Sequence, residues 1–183
     1  GGGTRNGTIV HWPAGFAAKG ETRAQFHHVI DVAPTVLEAA GVPEPTLVDG
    51  VEQHPMEGVS MAYSFDDARG AERRETQYFE MFCNRGIYHQ GWTAVTRHSN
   101  PWVMGPMPAF EDDVWELYDT NVDWSQSRDL STEMPEKLAE LQQLWLEEAR
   151  KHNVLPLDDR RIERFNAEMA GRPVLVKGTT QTL

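Results

Sequence analysis

Two histidine clusters carry most of the chemistry this sequence offers. His27 and His28 stand just ahead of Asp31, a grouping that invites a metal assignment. Adjacent side chains in an extended segment point to opposite sides, however, so the two imidazoles do not easily share one ion. Asp31 also immediately precedes an apolar periodicity, where a helix needs an N-cap, and the capping role outweighs the ligand role. The second cluster is Arg97, His98, Asn100 and Trp102. A guanidinium, an imidazole, an amide and an indole together make a cation-capable, aromatic cluster. Turn residues are commonly polar with no specific task, so a binding role and a solvated turn both stay open here. Cys83 is the only cysteine, which excludes an internal disulfide, and no Cys/His zinc spacing occurs. The carboxylate groups Asp66-Asp67, Glu111-Asp112-Asp113 and Asp158-Asp159 lack the spacing of a calcium loop and read as solvated faces.

The elements that must position these side chains follow from periodicity and punctuation. Thr8-Ile9-Val10-His11-Trp12 is a β-branched and aromatic run stopped by Pro13, which predicts a strand. Val32, Ala33, Val36, Leu37 and Ala40 recur at helical spacing, Pro34 is tolerated in the first turn, and Gly41 followed by Pro43 supplies the stop. Residues 43–74 show little sustained periodicity and read as a linker, with one turn of helix within 59–65. Strands are predicted over 76–82, 86–89, 92–97 and 114–118, with turns at Asn84-Arg85-Gly86 and Gln90-Gly91. A helix is predicted from 135 to about 152, with Leu138, Leu141, Trp145 and Ala149 on its apolar stripe and Ser131 or Thr132 as cap. Residues 158–164 alternate in charge and read as solvated, and Pro173-Val174-Leu175-Val176 reads as one more strand without a partner.

These elements predict an α/β chain. It would consist of a last strand-helix unit of an α/β layer over 1–74, a small antiparallel sheet packed with a helix over 75–156, and a charged extension over 157–183. Apolar residues at 39% and charged residues at 25% match an ordinary globular composition and exclude disorder as the default. A formal net charge of −11 and the lack of any Lys/Arg run argue against nucleic-acid binding. No apolar stretch approaches the ~20 residues that a membrane span needs. The chain opens on three glycines rather than Met, which predicts a piece of a longer protein or a processed start.

Four phrases occur in a telling order: Gly2-Gly3-Thr4-Arg5 before the run ending in Trp12-Pro13, then Asp31-x-x-Pro34-Thr35, then Gly58-Val59-Ser60. The fourth is Trp115-Glu116-Leu117-Tyr118-Asp119, followed by Asp129-Leu130 ahead of the long helix. In this order the chain resembles the C-terminal portion of sulfatases of the alkaline phosphatase superfamily, and within them the arylsulfatases of the long bacterial type. Residues 153–161 also look like that long subgroup.

The resemblance implies a parent enzyme, a sulfuric ester hydrolase, whose formylglycine hydrate attacks the sulfur of a small-molecule sulfate ester. A calcium held by Asp and Asn side chains would polarise the sulfate oxygens there. The nucleophile and metal ligands would precede Gly1, since Cys83 is followed by Asn84-Arg85-Gly86 and lacks the Cys/Ser-x-Pro-x-Arg pattern. The fragment alone is therefore expected to be inactive, to bind no metal and to hold no catalytic residue. Its apolar surface should stand uncovered where the rest of the α/β layer would pack. Arg5 sits where the family has its Gly-Gly-x-Arg arginine and would brace the site by holding a carboxylate or peptide carbonyls, or else form a structural ion pair. His28 would hydrogen-bond into the catalytic layer, and Arg97 and His98 would reach the rim of the cleft, where their cluster suits an aryl sulfate. Two other readings remain: a phosphodiesterase or phosphonate hydrolase of the same superfamily, and a non-catalytic interaction module presenting Trp92, Trp102 and Trp115.

Overall fold

The computed structural model describes residues 6–103 and 105–160; Arg5, the extension beyond 160 and its strand-like run at 173–176 lie outside them. The fold is mixed α/β. A 3₁₀ turn, Val29–Asp31, leads into α1, Val32–Ala40. A hairpin follows, β1 (Leu47–Val48) with β2 (Val51–Glu52), and then a second 3₁₀ turn, Ala62–Ser64. A four-stranded antiparallel meander comes next: β3 (Thr76–Met81), β4 (Asn84–His89), β5 (Trp92–Thr96) and β6 (Trp115–Asp119), in that spatial order. The chain closes the sheet with α2, Pro135–Lys151.

The register explains the core. Ile87, Ala94 and Leu117 pair across three strands and form one row on the inner face. Leu141, Trp145 and Ala149 recur every fourth residue along α2 and cover that row, and all six side chains are buried. The Trp145 indole N–H donates to the Phe79 carbonyl at 3.1 Å, which fixes where along the strands the helix sits. Trp92 and Trp115 pack against this cluster rather than forming an outward surface.

Several local expectations are corrected. Residues 8–12 lie in no strand, and Ile9 is 95% exposed: no strand among the described residues lies beside the run to take its backbone hydrogen bonds. The β3–β4 turn falls on Phe82 and Cys83, both at positive φ (53° and 65°), so Asn84, Arg85 and Gly86 belong to β4 instead of the turn. The β4–β5 turn does fall on Gln90-Gly91, φ 48° and 86°. The hairpin at Asp49-Gly50 (φ 50° and 82°) lies within the stretch read as a linker. Met134, not Ser131 or Thr132, is the N-cap residue of α2; the Ser131 N–H and hydroxyl instead donate to the Asp129 carboxylate, each at 2.9 Å.

α1 ends as its sequence predicts, with Gly41 in the left-handed region at φ 66°. Its apolar stripe is uncovered: Val32 is 44% and Val36 59% exposed, beside Val29 at 75%. The opposite face of α1 is the one that packs, through Thr35. Its hydroxyl donates to the Asp31 carbonyl at 2.6 Å and accepts the Met61 N–H at 2.8 Å. Gly58 makes this docking possible, because a Cβ there would meet the Ile30 carbonyl oxygen at 2.1 Å.

Candidate functional site

Asp31 is fully buried and does not act as a side-chain N-cap of α1. It closes the preceding 3₁₀ turn instead, with its carboxylate accepting the His28 N–H at 2.8 Å, and it also accepts the Val59 N–H at 2.7 Å. Arg74, 7% exposed, grips the same carboxylate through Nε at 2.8 Å and through Nη2. Arg74 further donates to Gln77 Oε1 and the Glu57 carbonyl, both at 3.0 Å. Burial pushes the Asp31 carboxyl up, but the Arg74 guanidinium and the two backbone amides outweigh it and hold it below the usual carboxylate range. The Asp31-Thr35 and Gly58-Ser60 phrases thus dock on one another, with Arg74 as the clamp.

His27 and His28 diverge as the alternation requires. His27 lies edge-on to Tyr63, with Nδ1 4.0 Å from Asp31, whereas His28 lies edge-on to Phe79 on β3. Burial lowers both imidazoles from their ordinary titration range. Among the described residues no group of three or more His, Cys, Asp or Glu side chains forms a metal site, so no calcium chemistry is assigned to them.

The second histidine lies at the other end of the sheet. A cleft of about 750 Å³ opens where β5 ends and β6 begins, lined among others by Asn84, Arg97, His98, Asn100, Asp113 and Glu116. His98 is only 4% exposed. Its ring stacks on Phe110 at 4.2 Å, and its Nδ1 lies 3.0 Å from each oxygen of Asp113. Asp113 belongs to an acidic run read as a solvated face, yet its side chain is 2% exposed because Arg85 of β4 pairs with it. The Arg85 guanidinium also lies over the rings of Phe110, Trp115 and Trp145 at 5.3–5.8 Å. His98 Nε2 and Arg85 Nε are buried without a hydrogen-bond partner, and the nearest carboxylate to Nε2, on Asp159, is 3.8 Å away. Asn84 ties the wall together, its Oδ1 accepting the N–H groups of His98 at 2.9 Å and Ser99 at 3.2 Å.

The cluster read from sequence is therefore split by depth. His98 is the buried floor, Arg97 is exposed with no side-chain partner among the described residues, and Trp102 is 86% exposed. Sequence reasoning missed Arg85, Arg74 and the burial of Asp113. Arg85 occupies a position that looks like turn punctuation, and only the register shows that it belongs to β4. Cys83 is buried in the β3–β4 turn.

No protein-family model matches the chain. Among solved structures, Ps i-CgsB is 17% identical with a TM-score of 0.52, covering 89% of this chain and 33% of that one. BT4656, solved in complex with its substrate D-glucosamine-2-N,6-O-disulfate, is 22% identical with a TM-score of 0.46, covering 71% of this chain and 25% of that one. BT33336S-sulf, from the glycosaminoglycan metabolism of Bacteroides thetaiotaomicron, is 16% identical with a TM-score of 0.42, covering 66% and 24%. This chain thus spans about a quarter to a third of the length of these structures. The likeness to Ps i-CgsB shows a shared fold and not an activity.

Proposed function

We propose that this chain is the C-terminal portion of an arylsulfatase-like sulfuric ester hydrolase. It supplies the last helix of the α/β layer (1–74), the small sheet-and-helix unit (75–156) and a charged extension (157–183). The observation that carries the reading is the docking of the Asp31-Thr35 phrase on Gly58-Ser60: the Val59 N–H donates directly to Asp31, and the neighbouring Met61 N–H on Thr35 and the Arg74 clamp on Asp31 reinforce the joint. Likeness of fold to Ps i-CgsB supports it. So does the uncovered valine stripe of α1, which has the form of a helix face made to lie on a sheet. In the parent enzyme a formylglycine would attack the sulfur, with a calcium supplying charge stabilisation, and both would come from residues ahead of Gly1. The cleft residues Arg97 and His98 would then border the substrate, while Arg5 and His28 would brace the site from behind.

The experiment has two arms. The 183-residue chain, assayed with an aryl sulfate and added calcium, is expected to give no turnover above background. The reading frame extended upstream is expected to encode a Cys/Ser-x-Pro-x-Arg motif and to yield an active hydrolase. Turnover by the chain alone, or an upstream frame without that motif, would overturn the reading.

A further inference from the structure

We propose that residues 25–31 form an acid-sensitive joint: protonation of His27 and His28 releases the segment that carries α1 from the sheet, while β3–β6 and α2 stay folded. The geometry of the contact carries the proposal. Among the described elements α1 packs on the two 3₁₀ turns and on none of the strands of the sheet, so its flanking segments hold it there. One of these is the run 25–28, whose side chains alternate between two neighbours. Phe26 stacks on Tyr88 at 3.8 Å and His28 lies edge-on to Phe79 at 5.7 Å, both on the face of the sheet opposite the Ile87 row. Gln25 and His27 face the linker. There Gln25 Nε2 donates to the carbonyls of Asp67 and Gly70 at 3.0 and 3.1 Å, and His27 lies edge-on to Tyr63 at 5.8 Å.

His27 Nε2 and His28 Nδ1 are shut off from solvent without a hydrogen-bond partner among the described residues. A neutral imidazole leaves such a nitrogen as a bare lone pair, whereas the cation makes it a charged donor with no acceptor, at a larger cost. The charges around the rings do not remove that cost. Asp31 lies 4.0 Å from His27 Nδ1, but its oxygens are already taken by Arg74 and by the His28 and Val59 amides. Glu72 already accepts the Phe26 N–H at 2.9 Å and the Tyr88 hydroxyl at 2.5 Å. Arg74 repels the charged form of both imidazoles. β3 contributes the Phe79 ring, and the second 3₁₀ turn contributes the Tyr63 ring, which carries the Arg73 guanidinium at 4.7 Å. Burial outweighs Asp31 and Glu72 at His27, and burial with Arg74 outweighs Asp31 at His28, so both rings titrate below their ordinary value. The unfolded segment therefore takes up protons as pH falls below about 6.5 while the closed joint does not, and acid favours the open form. In the sheet-and-helix unit, by contrast, His98 and His152 each have a carboxylate beside the ring, Asp113 at 3.0 Å and Glu148 at 3.2 Å.

This inference stands apart from the sulfate-ester reading, since it requires neither the nucleophile nor calcium. The test is hydrogen exchange of the 183-residue chain, read amide by amide by NMR at about pH 7.5 and about pH 5, each rate divided by the chemical exchange rate at that pH. The lower value lies above the range in which the lowered Asp31 carboxyl takes up its proton, so the response belongs to the imidazoles. Protection of the His28, Val59 and Met61 amides, which close the joint on Asp31 and Thr35, should fall about tenfold at the lower pH. Protection across the β4–β5 ladder should change by less than about twofold. The double variant His27→Gln, His28→Gln should keep the joint's protection at about pH 5 within about twofold of its value at about pH 7.5. Equal loss in joint and ladder, no loss in the joint, or the same loss in the double variant would overturn the proposal. Should the double variant not fold, the contrast between joint and ladder in the unsubstituted chain still decides the matter.

Discussion

Two buried carboxylates, each gripped by an arginine and each near a histidine, have opposite characters in this chain. Asp31 is saturated: two backbone amides and the Nε and Nη2 of Arg74 fill its acceptor sites, and the residue is fully buried. Asp113 pairs with Arg85 and His98 but leaves His98 Nε2 and Arg85 Nε without hydrogen-bond partners, and Asp113 and His98 line a cleft. A closed network holds a joint together. An incompletely satisfied one beside a cavity is where ligand chemistry has room to act. The difference separates scaffold from candidate site more sharply than residue type does.

The strongest test of that contrast is to neutralise each carboxylate. Asp31→Asn strands a buried guanidinium and weakens four hydrogen bonds, and should lower unfolding stability by about 3–5 kcal/mol. Asp113→Asn keeps the contacts of Arg85 with three aromatic rings and should lose less, about 1–3 kcal/mol. Equal losses by urea denaturation would erase the distinction.

Acid should probe the same asymmetry with a smaller effect. His27 and His28 are lowered by burial, so the folded chain binds fewer protons than the unfolded chain just below pH 6.5, and stability should begin to fall there. The lowered Asp31 carboxyl contributes stability that is complete above about pH 4 and is lost as pH falls through its folded value. In Asp31→Asn the second decline should shrink while the first persists; a pH–stability profile of the two proteins reads this directly. The smallest effect belongs to Arg97→Ala. Arg97 touches no partner among the described residues, so stability should move by less than about 0.5 kcal/mol.

How much of this was legible in the sequence depended on whether a residue's job is local. The alternation of residues 76–97 and 115–119 and the four-residue spacing in α2 report burial on one face, so sheet and helix could be read directly. Gly41 could be read because a left-handed C-terminal residue is a local need. The Phe82-Cys83 turn was not legible, since neither residue is the glycine or asparagine that positive φ favours. Asp49-Gly50 between apolar residues was a readable hairpin signal that the surrounding Pro and Glu residues masked. Asp31 was placed correctly at the head of a helix but given the wrong partner, because Arg74 arrives from 43 residues away. Asp113 looked like its exposed neighbours Glu111 and Asp112, and only long-range pairing with Arg85 and His98 draws it inside. Resemblance to a family supplied the order of the phrases. That two of those phrases touch, through the Val59 N–H on Asp31, came from the structure.

Asn84 has a consequence in time as well as in space. Its Nδ2 donates to the Met81 carbonyl across the β3–β4 turn at 3.0 Å, while its Oδ1 holds the amides of His98 and Ser99. The hairpin turn and the wall of the cleft are therefore joined through one side chain. The hydrogens on those two amides exchange with solvent when the Asn84 side chain releases them, so their exchange reports on the junction between the hairpin turn and the cleft wall.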